Sequence, residues 1–203
     1  GYNLIFKKLR NEPFEYYLLL NNDVTVDRNI LNALVQKQKE FGDNHIYGPK
    51  IYYSNNKSKL WYAGGYINKF LGISHHIGIN KFEKNIKYKT IQTNYISGCC
   101  MLIKKELINN LNGFNEIFKM YYEDVDLCYR ASKLSVKCFV VDNAIMYHKV
   151  SYSIGNNTLR KIITKLMSQF KFIYNHNNFI LFILSLFFNV ILLPFSFILY
   201  IIK

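Results

Sequence analysis

Residues 121–130, Tyr-Tyr-Glu-Asp-Val-Asp-Leu-Cys-Tyr-Arg, place three carboxylates, Glu123, Asp124 and Asp126, side by side behind two aromatics. Core packing does not account for such a cluster. Carboxylates are seldom buried unpaired, and neighbouring ones raise one another's pKa. A carboxylate tuned in that way serves as a general base. The cluster starts a helix expected over 124–133, which sets its charges at a positive helix N-terminus. Helical spacing turns Asp126 about 200° away from Asp124. Asp126 therefore reads as structural, with Arg130 as its i,i+4 partner.

A second acidic feature, Asn21-Asn22-Asp23, follows the apolar run Tyr16–Leu20. It has the form of a carboxylate at the end of a buried strand, suited to holding a metal or a phosphate. His148 follows the acidic cluster along the chain. The three features together point to metal-assisted group transfer rather than to a binding module.

The chain of 203 residues has room for one sizeable domain and a tail. Its net charge of +13 is spread over lysines scattered among Asn, Ile and Tyr. No run of basic residues longer than two, zinc finger or RNA-binding signature accompanies the charge, so nucleic acid is not the expected partner. A basic surface near anionic lipid, or one that receives a nucleotide diphosphate, accounts for it. Phe179–Ile202 carries no charged residue, and a bilayer core needs about 20 apolar residues in a helix. That segment reads as a transmembrane helix, with Asn189 and Pro194 tolerable inside it. The four cysteines (Cys99, Cys100, Cys128, Cys138) include no C-x-x-C pair and sit among apolar neighbours, as reduced core residues do. Reduced thiols, and Arg160, Lys161, Lys165 and Lys171 ahead of the span, put the domain on the cytoplasmic face of a membrane.

Along the chain the pattern alternates strands and helices. Strands are expected at 14–20, around 46–47 and 51–53, at 93–103 and at 136–141. Helices are expected from Arg28, capped by Asp27, to Phe41 and over 104–111. Residues 61–92, rich in Gly and His, read as a long loop or small hairpin of the kind that carries function. Within them His75-His76 reads as a solvated pair. Leu159, Ile162, Ile163, Leu166, Met167, Phe170 and Ile173 share one helical face, so a basic amphipathic helix lying along the membrane interface precedes the span. An ordinary surface helix packed on the domain is the alternative.

Several motifs in order resemble those of the inverting family 2 glycosyltransferases, closest to the rhamnosyltransferase-like subgroup. Asn21-Asn22-Asp23 looks like that family's DxD motif in its Asn-x-Asp form. Ser97-Gly98-Cys99-Cys100-Met101-Leu102-Ile103-Lys104-Lys105 is similar to its Ser-Gly segment. Asn112-Gly113-Phe114-Asn115-Glu116 followed by Glu123-Asp124-Val125-Asp126-Leu127 resembles its Gly-Gly-Phe-Asp-Glu and Glu-Asp-x-Asp-Leu stretches.

The resemblance implies a GT-A fold, an α/β architecture with a mostly parallel sheet, N-terminally incomplete because the first nucleotide-binding units would precede Gly1. It implies a catalytic domain over 1–153, an amphipathic linker helix over 154–177 and a membrane segment over 178–203. Asp124 is the expected base, and Asp23 and His148 the expected ligands of Mg²⁺ or Mn²⁺. Glu123, Ser97, Gly98, Trp61, Gly65 and Asn21 are the expected substrate contacts. The activity implied is transfer of a sugar from a nucleotide-sugar donor to a polysaccharide or lipid-linked glycan. The alternative is a membrane-anchored remnant that no longer uses a donor and binds glycan or partner proteins.

Overall fold

The computed structural model describes residues 1–83, 89–149 and 158–201, with only the backbone described at 158 and over 192–201. In chain order its elements are α1 (Tyr2–Lys8), β1 (Tyr16–Leu20), β2 (Val24–Val26), α2 (Ile30–Phe41), β3 (Ile46–Tyr53) and β4 (Asn56–Tyr62). The hairpin β5 (Gly65–Asn68) and β6 (Ile73–His76) comes next, then β7 (Ile91–Thr93), β8 (Cys100–Lys104), α3 (Lys105–Asn110) and α4 (Glu123–Ser132). The long strand β9 (Cys138–His148) and helices α5 (Thr158–His176) and α6 (Phe179–Ile201) complete the chain.

The central sheet has the order β1-β8-β3-β9-β2, with β4 beside β3 and β7 beside β9. It is mixed rather than mostly parallel. β3 and β9 are parallel neighbours, whereas β8 enters antiparallel between β1 and β3. β8 runs backwards because the chain reverses at Ser97-Gly98-Cys99, where the Cys100 N–H closes a turn on the Ser97 carbonyl. The same turn divides the single strand expected over 93–103 into β7 and β8. Conversely, Gly48-Pro49 does not end a strand. Ile96 lies so close over Gly48 that a Cβ there would meet its Cγ2 at 2.3 Å. The proline sits at the register shift between Pro49 and Lys50, where its missing N–H is tolerated.

Local chemistry starts and stops the helices. Asp27 accepts the Asn29 N–H at 2.9 Å on its side chain and the Ile30 N–H on its carbonyl, and α2 follows. Ile30, Ala33 and Leu34 on one face of α2 are buried, as i, i+3, i+4 spacing requires. Gly42, at φ 114°, ends it. Tyr47, Ile46, Ile51, Met101, Ile103, Ile108 and Leu127 form the centre of the core. All four cysteines are buried and free, as their apolar neighbours predict.

The expected boundary at 153/154 lies outside the described residues. Beyond it, α5 docks on the domain through its polar edge. Ser168 Oγ donates to the Met120 carbonyl (2.9 Å), Gln169 Nε2 to the Leu71 carbonyl (2.9 Å), and Phe172 is fully buried against Tyr122 and Tyr129. The apolar face predicted from the sequence is divided: Leu159, Ile163 and Met167 are exposed, Ile162, Leu166 and Phe170 half-buried, and Ile173 fully buried. Helix α6 docks in the same manner. Ser185 Oγ donates to the Phe70 carbonyl (2.6 Å) and Asn189 Nδ2 to the Leu71 carbonyl (3.2 Å), while Phe179, Ile180, Phe187 and Val190 stay exposed. Among the described residues no helix is long and apolar enough to cross a membrane.

Candidate active site

The C-terminal end of β1, the turn before β8, the end of β9 and the N-terminus of α4 meet at one edge of the sheet. Helix α4 begins there in an uncommon way. Tyr121 (φ 64°) and Tyr122 (φ 70°) are consecutive non-glycine residues in the left-handed region, a conformation that costs on the order of 1–3 kcal/mol at each position. Packing holds them in it. Tyr122 is buried, its hydroxyl donates to the Gly72 carbonyl (2.7 Å), and its own carbonyl accepts the Asp126 N–H (2.8 Å). This reversal sets Glu123 and Asp124 at the first turn of α4.

Asp124 Oδ2 accepts the Gly98 N–H at 2.7 Å, and its Oδ1 accepts the Val125 N–H at 2.8 Å. Burial raises its pKa, and the Gly98 and Val125 amides oppose that rise. Glu123 beside it is pushed up to about 7, first by burial and then by the Asp124 charge. Its Oε2 is buried without a hydrogen-bond partner. Asp126 points away from both. It is fully buried, with Arg130 Nε on one oxygen and His176 Nε2 on the other, each at 2.7 Å. The i,i+4 pairing expected from the sequence is present, and α5 adds a partner that the sequence did not indicate.

Across the turn, Asp23 Oδ2 stands 3.2 Å from His148 Nε2. Asp23 also accepts the Lys149 N–H on its carbonyl, which ties the loop after β1 to the end of β9. The turn Ser97-Gly98-Cys99 joins the two acidic features. Gly98 holds Asp124, while the Cys99 sulfur lies 3.6 Å from Asn21 Nδ2 and 3.9 Å from His148 Nδ1. The Cys99 thiol is pushed up to about 12, chiefly by burial, with Asp124, Asp23 and Glu123 all adding to it. Cys99 was legible only as a core residue, and it proves to be the connection between the two halves of the site.

Of the expected substrate contacts, Asn21, Gly98 and Glu123 border this cluster. Ser97 is buried and accepts the Cys99 N–H, so it shapes the turn. Trp61 is present, but both faces of its role are taken by imidazoles, His148 at 4.6 Å and His76 at 4.4 Å between ring centroids. Gly65 is explained by packing: a Cβ there would meet the Tyr95 ring at 2.1 Å. The histidine pair is not solvated throughout. His75 is exposed, whereas His76 Nδ1 is buried and unpartnered, and burial lowers the His76 pKa to about 4. Alternation along a strand turns one of two adjacent side chains inward, and a loop reading misses that.

The raised Glu123 pKa carries a stability consequence. Between pH about 4.5 and about 7 the folded protein keeps a proton on Glu123 that the unfolded chain has released. Stability therefore falls as pH rises through that window, and the raised Asp124 acts with the same sign. Denaturant unfolding between pH 5 and 8 is expected to show this decline, and Glu123→Gln to flatten it. A slope unchanged in the variant would refute the assignment.

No family model matches the chain. Rhamnosyltransferase WbbL of Escherichia coli is 26% identical over 160 residues, 74% of this chain and 57% of that protein. Over 63 residues the chain is 35% identical to the low-salt glycan biosynthesis hexosyltransferase Agl10 of Haloferax volcanii. It is 33% identical over 63 residues to the N-acetylglucosaminyl-diphospho-decaprenol L-rhamnosyltransferase of Mycobacterium tuberculosis. These two matches cover 30% and 31% of this chain, and 19% and 20% of those proteins. The chain thus spans little more than half the length of the first relative and a fifth of the others. Among solved structures, GalNAc-T7 with UDP, GalNAc and Mn²⁺ superimposes with a TM-score of 0.55 at 13% identity, covering 72% of this chain and 29% of that one. The fold is of the GT-A glycosyltransferase type. The chain's relatives by sequence are glycosyltransferases as well.

Proposed function

We propose that the chain carries the acceptor-activating part of a membrane-associated inverting glycosyltransferase. The donor is a nucleotide sugar, and the acceptor a polysaccharide or lipid-linked glycan. One observation supports this above the rest: the Ser97-Gly98-Cys99 turn joins the Asp124–Glu123 pair to the Asp23–His148 pair in a single cluster. Asp124 takes the proton from the acceptor hydroxyl, its two amide contacts fixing the carboxylate while burial raises its basicity. Attack from the face opposite the leaving diphosphate then inverts the anomeric carbon in one displacement, with Glu123 holding acceptor hydroxyls.

The residues of the second pair fit Mg²⁺ or Mn²⁺. Among the described residues Asp23 Oδ1 is a buried carboxylate oxygen with no hydrogen-bond partner, and His148 adds an imidazole nitrogen beside it. Among the described residues no group of three or more His, Cys, Asp and Glu gathers to hold a metal. Two protein ligands suit a cation whose other positions go to substrate phosphate and water. Asp23 and His148 would hold it, and when bound it supplies charge neutralisation for the leaving diphosphate. The relatives named for diphospho-linked and glycan-directed transfer, and GalNAc-T7 with UDP and Mn²⁺, support this reading.

Membrane association, with the domain on the cytoplasmic side, rests on the uncharged stretch 179–202 and on the exposed apolar faces of α5 and α6. Such faces beside Arg160 and Lys161 suit an anionic lipid surface. The test is nucleoside diphosphate release by the full reading frame in detergent, over a panel of nucleotide sugars with Mg²⁺ or Mn²⁺ and crude glycan acceptors. Release with one donor, abolished by chelation, is the expected result. Silence with every donor would overturn the transferase reading and favour a donor-independent glycan-binding protein.

A further inference from the structure

We infer that helix α5 is part of the catalytic apparatus, and that Ser168 is the residue through which it positions the base. The chain from Ile117 to Asp126 delivers Glu123 and Asp124 to the first turn of α4. It does so through two consecutive residues in the left-handed region, Tyr121 and Tyr122. Clash of Cβ with the backbone opposes that conformation, which persists only where the surroundings over-determine it. The start of α4 supplies little of the restraint. Tyr122 occupies the cap position, and among the described residues no side chain caps the helix there. Ser, Thr, Asp and Asn are the residues preferred at such a position. The reversal is therefore held by the rest of the fold.

Helix α5 holds it along its docked face. Ser168, Phe172 and His176 are four residues apart, so they lie one above another on the helix. They meet Met120, Tyr122 and Asp126 in turn. Ser168 Oγ donates to the Met120 carbonyl at 2.9 Å, the Phe172 ring lies 5.8 Å from that of Tyr122, and His176 Nε2 stands 2.7 Å from Asp126 Oδ1. Lys171 Nζ adds a bond to the Ile117 carbonyl at 3.1 Å. The far side of the reversal is braced as well. The Tyr122 hydroxyl is seated on the Gly72 carbonyl, and Ile173 packs so closely on Gly72 that a Cβ there would meet it at 2.6 Å.

The Met120 carbonyl is the decisive acceptor. It belongs to the planar peptide group that ends at the Tyr121 nitrogen, so its orientation sets the angle at which the chain enters the reversal. Ser168 is itself buried. A carbonyl released by loss of its hydroxyl would turn to find another donor, and the start of α4 would turn with it. Asp124 is then displaced from the Gly98 amide that its Oδ2 accepts at 2.7 Å. A misplacement of about 1 Å caused by a change remote from the chemistry can cost about 10²-fold in rate. Ser168 is thus a positioning residue, acting on Asp124 through Met120 and the two tyrosines. The effect on catalysis rests on the transferase reading; the positioning itself does not.

Ser168→Ala in the full-length protein, in detergent, tests this with two readouts. The Gly98 amide proton lies in a short bond to a carboxylate, and its NMR resonance is expected to move upfield as that bond weakens. In the transfer assay kcat is expected to fall about tenfold while KM for the donor stays within about twofold. Ser168→Thr, which keeps a hydroxyl, should recover both. Ser185→Ala is the control: it removes a comparable bond, from Ser185 Oγ of α6 to the Phe70 carbonyl at 2.6 Å, outside residues 117–126. Both readouts are expected to stay native in it. A Gly98 resonance at its native position in Ser168→Ala, or one displaced equally by Ser185→Ala, would overturn the proposal. So would an unaltered kcat in Ser168→Ala when the native protein transfers sugar. A Gly98 resonance displaced only by Ser168→Ala, in a protein that transfers no sugar from any donor, would retain the positioning and refute the transferase.

Discussion

Asp124→Asn is expected to lower sugar transfer by about 10³-fold, within the range that a positioned general base contributes, while the protein still folds. Both carboxylate oxygens of Asp124 accept backbone amides, from Gly98 and Val125. An asparagine can satisfy only one of them with its carbonyl, and its NH₂ then faces the other N–H. The variant should therefore lose about 1–3 kcal/mol of stability, the cost of an unmet buried donor, and part of that is offset by relief of the Asp124–Glu123 repulsion. Loss of the Asp124 charge also lets the Glu123 pKa fall, since that charge is the second cause of its elevation. Two readouts separate base from scaffold. Transfer should collapse, and the pH dependence of unfolding should shift toward lower pH. Transfer at the native rate would remove Asp124 from the mechanism and leave Glu123, whose unpartnered oxygen lies beside it, as the acid–base group.

Much of this site was legible because its carboxylates break the rules of an ordinary core. Glu123, Asp124 and Asp23 are carboxylates that apolar packing does not call for, and the structure brings them to one cluster. Asp126 was legible as structural because 200° on a helix is geometry. The sheet was less legible. β8 runs antiparallel because of a turn at residues 97–99, and a strand pattern of period two does not register a reversal in which apolar residues continue on both sides. Gly48-Pro49 reads as a break in one dimension, yet in three it is the place where Ile96 crosses a continuous strand. Helix α5 was read from its apolar face, of which Ile173 is buried, but Ser168, Gln169 and His176 join Phe172 in docking it. Hydrophobic periodicity marks where water is excluded. It does not report a docking made with hydrogen bonds to the carbonyls of Leu71 and Met120.

Asp126→Ala should be the most destabilising single change near the site, on the order of 3–5 kcal/mol, the cost of breaking a buried pair by removing one partner. Asp126 is fully buried and joins three elements at once. Arg130 Nε and His176 Nε2 each reach it at 2.7 Å, and Arg130 continues to the carbonyls of Leu111 and Gly113. Its removal leaves the guanidinium, mostly buried, with carbonyl acceptors but no charge partner, and it frees the end of α5 from α4. His176→Gln, which retains a donor for Asp126, should cost less stability. Arg130→Met together with Asp126→Leu should recover a large part of the loss, since well-packed apolar replacements of buried ion pairs are often neutral or better. Denaturant unfolding of the three variants measures the stability series. An Asp126→Ala protein as stable as the native one would show that α4 and α5 hold together by Phe172 packing alone.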